Sequence, residues 1–133
     1  MKYLLLLYGT EGEQQGNLSP EEMAANMEPW NRYTNDVVRA GAFVAGEGLH
    51  PSTAATTVRH QTGGERIVSD GPFAETKEQI GGFYLLECKD LDEALEWAKK
   101  LPVGEGSAVE VRPVMDFSEY GYEDPNAATT AAG

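Results

Sequence analysis

The chain has little cysteine, little histidine, little positive charge and no long hydrophobic run, and each scarcity removes a class of function. Cys88 is the only cysteine among 133 residues, so no internal disulfide can form, and the reducing cytoplasm is the expected compartment. Set inside an apolar run, its thiol reads as buried filler. The two histidines, His50 and His60, sit among scattered acids without a recognisable ligand spacing, so neither a metal nor another cofactor is expected. Ten lysines and arginines stand against 22 aspartates and glutamates, for a net charge of -12. That excess repels phosphate backbones and anionic lipids and leaves no basic stripe, which argues against nucleic-acid binding. The apolar run from Tyr3 to Tyr8 is far too short to cross a membrane. With only Lys2 ahead of it and no longer apolar core leading to small residues, it does not read as a signal peptide.

A chain of this length fits one domain with a core large enough to fold without metals or disulfides. Lys2 to Tyr8 reads as a strand apolar on both faces, Tyr3, Leu5 and Leu7 on one side and Leu4, Leu6 and Tyr8 on the other. Thr10 to Leu18, rich in Gly, Glu and Gln, reads as a loop. Ser19-Pro20-Glu21-Glu22 then supplies a cap, a first-turn proline and early acids for a helix. Met23, Met27, Trp30, Thr34 and Val37 form its expected buried stripe, Pro29 is expected to kink or restart it, and Gly41 to stop it. A second strand is expected over Ala42 to Gly46, and a hairpin from Ala54 to Arg59 and Glu65 to Ser69 about Thr62-Gly63-Gly64. Gly82 to Cys88 is again apolar on both faces and belongs in the middle of a sheet. Asp90 and Glu93 can cap a second helix that Pro102 ends, and Ala108 to Val114 reads as an edge strand. The order matches an α+β, ferredoxin-like βαββαβ fold with an inserted β-hairpin. With both helices on one face, the central strands leave an apolar face too large for a comfortable monomer, so a homodimer is expected. Residues 1–117 form the domain; 118–133 read as a tail, with Glu123 to Gly133 flexible.

Ser69-Asp70-Gly71-Pro72-Phe73-Ala74-Glu75-Thr76-Lys77-Glu78 places a carboxylate, a stiff turn and an aromatic between two strand-like runs. Asp70 has two readings. Its carboxylate accepts a backbone N–H across the turn, that of Phe73, or it is a pocket group that holds a ligand or moves a proton. Glu47, flanked by Gly46 and Gly48 at a strand end, is a second carboxylate that backbone or ligand can approach closely. Its bland role is a bulge or strand end. His50, close to Glu47 in the chain, is the better histidine for proton transfer. Trp30 and Tyr33 on the first helix read as core packing first and as a ligand-stacking wall second. Arg59, Arg66 and Arg112 could hold an anion, although arginines on strands more often pair with acids across the sheet.

The Asp70-Gly71-Pro72-Phe73 segment resembles the signature of the DGPF family, a branch of the YCII-related proteins. Val44 to Leu49, Gly81 to Tyr84, Asp92 to Ala98 and Val109 to Val114 follow in that family's order, so the resemblance covers Met1 to about Phe117. It implies a dimeric α+β barrel and a ligand cleft between the first helix, the end of the second strand and the signature loop. Catalytic roles would then fall on Asp70, His50 and Glu47, and ligand contacts on Trp30, Tyr33, Gly46, Gly48, Gly71, Pro72 and Phe73. Many YCII-like proteins carry a helix histidine paired with an acid. This chain has none on that helix, where Trp30 or a neighbour takes the place. The resemblance therefore implies two functions. One is a small-molecule-binding domain, enzymatic if it performs acid/base lyase or dehydrochlorinase-like chemistry on a small ring compound. The other is a regulatory or interaction module with a protein partner in sigma-factor-dependent transcription. A fold hosts many activities and does not choose between them.

Overall fold

The computed structural model describes residues 1–11 and 18–126. Most of the loop expected between Thr10 and Leu18, and the tail beyond Asn126, lie outside the described residues. The elements run β1 (Lys2–Thr10), α1 (Pro20–Arg39), β2 (Phe43–Gly48), β3 (Thr56–His60), β4 (Arg66–Asp70), β5 (Glu78–Glu87), α2 (Leu91–Lys99) and β6 (Ala108–Pro113). Four strands form one antiparallel sheet in the order β2-β5-β1-β6, and β3 and β4 pair by themselves. The two strands read as doubly apolar, β1 and β5, are the central pair, as the α+β ferredoxin-like order requires.

The helix ends show why these segments fold locally. Ser19 Oγ accepts the Glu22 N–H at 3.1 Å, and Pro20 opens α1 where its missing N–H is not needed. At the other end the Gly41 N–H donates to Val38 O and the Ala42 N–H to Val37 O, with Gly41 at φ 75. That closure needs a left-handed residue, and it ties Ala42 to the helix so that β2 begins one residue later than the sequence suggested. The helix continues through Pro29 without restarting. Asp90 Oδ1 accepts the Glu93 N–H at 2.9 Å while Glu93 Oε2 accepts the Lys89 N–H, the reciprocal cap expected for α2.

Both helices cover the face that carries Tyr3, Leu5 and Leu7, which are buried with Leu86, Cys88, Ala94, Leu101, Tyr33 and Val37. The buried stripe of α1 is therefore shorter than its apolar pattern, since Met23 and Met27 in the first half stay exposed. Tyr33 is anchored within this core. Its hydroxyl donates to Trp97 O at 2.9 Å, its ring meets Tyr84 and Trp97 edge-on, and burial, then Tyr84, raises its pKa above the ordinary tyrosine range. Burial, then Glu93, likewise raises the Cys88 thiol. Among the described residues no helix covers the opposite face. Strand register gathers Leu4, Leu6 and Tyr8 there with Phe83 and Leu85, all half-buried, beside the Glu110–Arg112 ion pair on edge strand β6.

Candidate functional site: a glycine-floored cavity under the first helix

Where α1 crosses the β2 and β5 edge of the sheet, a cavity of about 270 Å³ opens. Met27, Trp30 and Thr34 form its helix side; Leu7, Phe43 and Tyr84 add apolar walls; Gly46, Gly48, Gly81 and Gly82 form the floor. Close packing normally fills such a space with side chains. Here two kinds of glycine keep it open. A Cβ on Gly82 would stand only 2.8 Å from Glu47 O, so that position cannot carry a side chain in this backbone, and one on Gly46 would stand 3.0 Å from Tyr84 Cδ1 and fit only if that ring shifted. A Cβ on Gly48 or Gly81 would meet nothing within 4 Å, so open space lies where their side chains would stand. Gly81 also falls where the β1–β5 register shifts, between the Leu7↔Gly82 and Tyr8↔Ile80 pairs.

The cavity's polar handle is a pair of hydroxyls, Thr34 Oγ1 and Tyr84 Oη, 2.7 Å apart. The Tyr84 ring is held edge-on between Tyr33 at 5.2 Å and Phe43 at 6.3 Å, which fixes where its hydroxyl stands. Among the described residues no lysine, arginine or histidine lines the space. Glu47 borders it, but β2 register pairs Glu47 with Phe83 and Gly46 with Tyr84. Side chains alternate along a strand, so the Glu47 carboxylate turns to the helix-free face and its backbone forms the border.

Of the residues singled out by sequence, Trp30, Gly46, Glu47 and Gly48 come together at this cavity. Tyr33 lies behind it in the core, and His50 stands exposed just beyond it, after Leu49, whose N–H donates to Gly81 O at 2.9 Å. Asp70, Gly71, Pro72 and Phe73 are not among the lining residues. Asp70 closes the β3–β4 ladder opposite Thr56, and its exposed carboxylate makes no hydrogen bond or ion pair among the described residues. The expected bond to the Phe73 N–H is therefore absent, and the turn is held by other groups. The Gly71 N–H donates to Ala55 O at 2.7 Å, Thr57 Oγ1 to Gly71 O at 2.7 Å, and the Arg59 guanidinium to Phe73 O, with Gly71 itself at φ 93. Arg59 thus serves the signature turn from the neighbouring strand. Among the described residues no group of three His, Cys, Asp or Glu side chains is placed to hold a metal, and no helix is long and apolar enough to cross a membrane.

Sequence reasoning missed Leu7, Met27, Thr34, Phe43, Gly81, Gly82, Phe83 and Tyr84 as lining residues. A signal existed: Gly46 and Gly48 on one strand and Gly81 and Gly82 on another are two side-chain gaps that antiparallel pairing brings opposite each other. Thr34, a hydroxyl interrupting an apolar stripe, was the second.

The fold, the cavity and the signature turn together span the stretch that the family model for the YCII-related domain matches, residues 1–118. The chain belongs to the YCII-related family. An uncharacterized protein of Rhizobium meliloti (strain 1021) is 44% identical over 116 residues, 86% of this chain and 92% of that protein. Gly46, Gly48, Gly81 and Gly82 of this YCII-related domain thus lie well inside the matched stretch, as does the Asp70 turn.

Proposed function

We propose that this YCII-related domain binds a small molecule in the cavity beneath α1 and works as a homodimer. The observation that carries the first half is the glycine floor: four residues without side chains hold open about 270 Å³ beside a fixed hydroxyl pair. Concave, mostly apolar space with a few convergent polar groups is the usual form of a ligand site. Should the bound molecule be turned over, Glu47 on β2, His50 just after it and Asp70 of the signature turn are the residues that would move protons. The second half rests on Leu4, Leu6, Tyr8, Phe83 and Leu85, an apolar patch that a second copy of the same face would remove from water.

A reading as a regulatory interaction module draws on a different observation. Val58 and Val68 face each other across the hairpin at 51% and 67% exposure, and Phe73 follows at 71%, an apolar set suited to a protein partner. One substitution separates the two. Gly48→Leu places a side chain in the open volume without a backbone clash. It is expected to abolish thermal shifts given by small-ring compounds while the unliganded melting temperature stays within a few degrees. Hits that shift both proteins equally would overturn the cavity reading and favour the module. Light scattering at micromolar concentration tests the dimer, and a monomer would overturn it.

A further inference from the structure

We infer that the cavity selects an uncharged, planar ring bearing one group that both donates and accepts a hydrogen bond, and that it rejects the corresponding carboxylate. This rests on the reading of the cavity as the ligand site and adds the ligand's charge and chemistry. Size comes first. Ligand clefts commonly measure about 300–1,000 Å³, so a space of about 270 Å³ takes a single ring with a short substituent. Shape follows from a floor of bare backbone at Gly46 and Gly82 and walls of Trp30, Phe43 and Tyr84, surfaces that favour a flat aromatic partner.

Charge is decided by what the lining lacks. An ion moved into an apolar site without a counter-ion loses its hydration with nothing in return. Among the described residues no cationic side chain lines the cavity, and the one carboxylate at its border, Glu47, turns to the far face. An anion therefore meets no counter-ion, and a cation meets no carboxylate inside.

The hydroxyl pair sets the remaining group. Thr34 Oγ1 and Tyr84 Oη share one hydrogen bond at 2.7 Å. Whichever donates, the pair keeps one spare O–H and spare lone pairs, so it presents a donor and an acceptor side by side. A carboxamide or an alcohol satisfies both. A carboxylate only accepts and an amidinium only donates, so each leaves half of the pair unmatched against the apolar walls.

Benzamide, benzoate and benzamidinium have nearly the same shape and differ in this chemistry, with toluene as the apolar reference. Titrated into the full chain at pH 7 and followed by NMR, benzamide is expected to bind about tenfold more tightly than either ion. Benzoate or benzamidinium binding as tightly as benzamide overturns the inference but leaves the cavity as a ligand site. Failure of all four, toluene included, at about 10 mM overturns the cavity reading and the inference with it. Tyr84→Phe and Thr34→Val, which keep the shape and remove one hydroxyl each, are expected to lower benzamide affinity about tenfold while toluene is unaffected. Thr34→Ser, which keeps the hydroxyl, is expected to retain benzamide. An unchanged preference for benzamide over toluene in folded Tyr84→Phe and Thr34→Val would overturn the role of the pair.

Discussion

The connection between β2 and β5 has two ends built on opposite plans. At its root, Gly48 and Gly82 pair beside a cavity walled by interlocked aromatics. At its far end, β3 and β4 form a hairpin in which every residue of β4 is exposed. The root is shaped by side chains that are missing and the hairpin by side chains that are present but uncovered. The eye is drawn to the hairpin, because turns and carboxylates stand out in a sequence. Burial points to the root. Position is fixed there by packing, whereas a two-stranded hairpin alone is marginal in water.

The contrast breaks most visibly through packing. Leu5 is fully buried under the helices at 0% exposure, whereas Val68 on the hairpin is 67% exposed. Leu5→Ala is expected to cost about 3 kcal/mol and Val68→Ala less than about 0.5 kcal/mol. Urea denaturation of both variants measures the difference. Equal losses would show that the hairpin is packed in solution and not free.

A second, smaller effect sharpens the comparison within the root itself. Gly82→Ala drives a methyl group to 2.8 Å from the Glu47 carbonyl oxygen at the Gly48↔Gly82 end of the β2–β5 ladder, and backbone cannot yield as a flexible side chain can. A loss of about 1–3 kcal/mol is expected. Gly48→Ala meets nothing within 4 Å and replaces the most flexible residue in a strand, so its stability should stay within about 0.5 kcal/mol of the parent. The melting temperatures of the pair decide the matter. A loss for Gly48→Ala as large as that for Gly82→Ala would mean that the cavity collapses onto Gly48 in solution.

Much of the fold was legible because it is written in periodicity and caps. The doubly apolar runs of β1 and β5 required central positions, and Ser19-Pro20 and Asp90 marked where helices begin. The stripe of α1 was legible only in part. Its apolar spacing says which residues share a face but not how far the sheet beneath extends, so Met23 and Met27 read as buried and are not. Half of the candidate site was equally visible, since Trp30, Gly46, Glu47 and Gly48 were singled out and do meet. The β5 half was not, because it depends on which strands pair and in which register. The loop after Asp70 adjoins the cavity in sequence, but the closing of the β3–β4 ladder at Thr56↔Asp70 makes it the end of the hairpin.

The smallest expected effect is at Asp70, and it tests the comparison from the hairpin side. Its carboxylate is exposed and makes no bond among the described residues, while Thr57, Arg59 and the Gly71 N–H hold the turn. Removing an unbonded, solvated side chain forfeits no interaction and buries nothing, so Asp70→Asn and Asp70→Ala should both stay within about 0.5 kcal/mol of the parent. Thr57→Val, which deletes the 2.7 Å bond to Gly71 O, should cost about 1 kcal/mol and loosen the same turn. The acid can therefore be removed without moving the loop, which makes Asp70→Asn a clean probe of charge. Because Asp70 is not among the cavity's lining residues, ring affinity in that variant should match the parent. A folded Asp70→Asn that loses ligand response would place the signature turn at an occupied site after all. In the proposed homodimer, a second copy is the element that could bring it there.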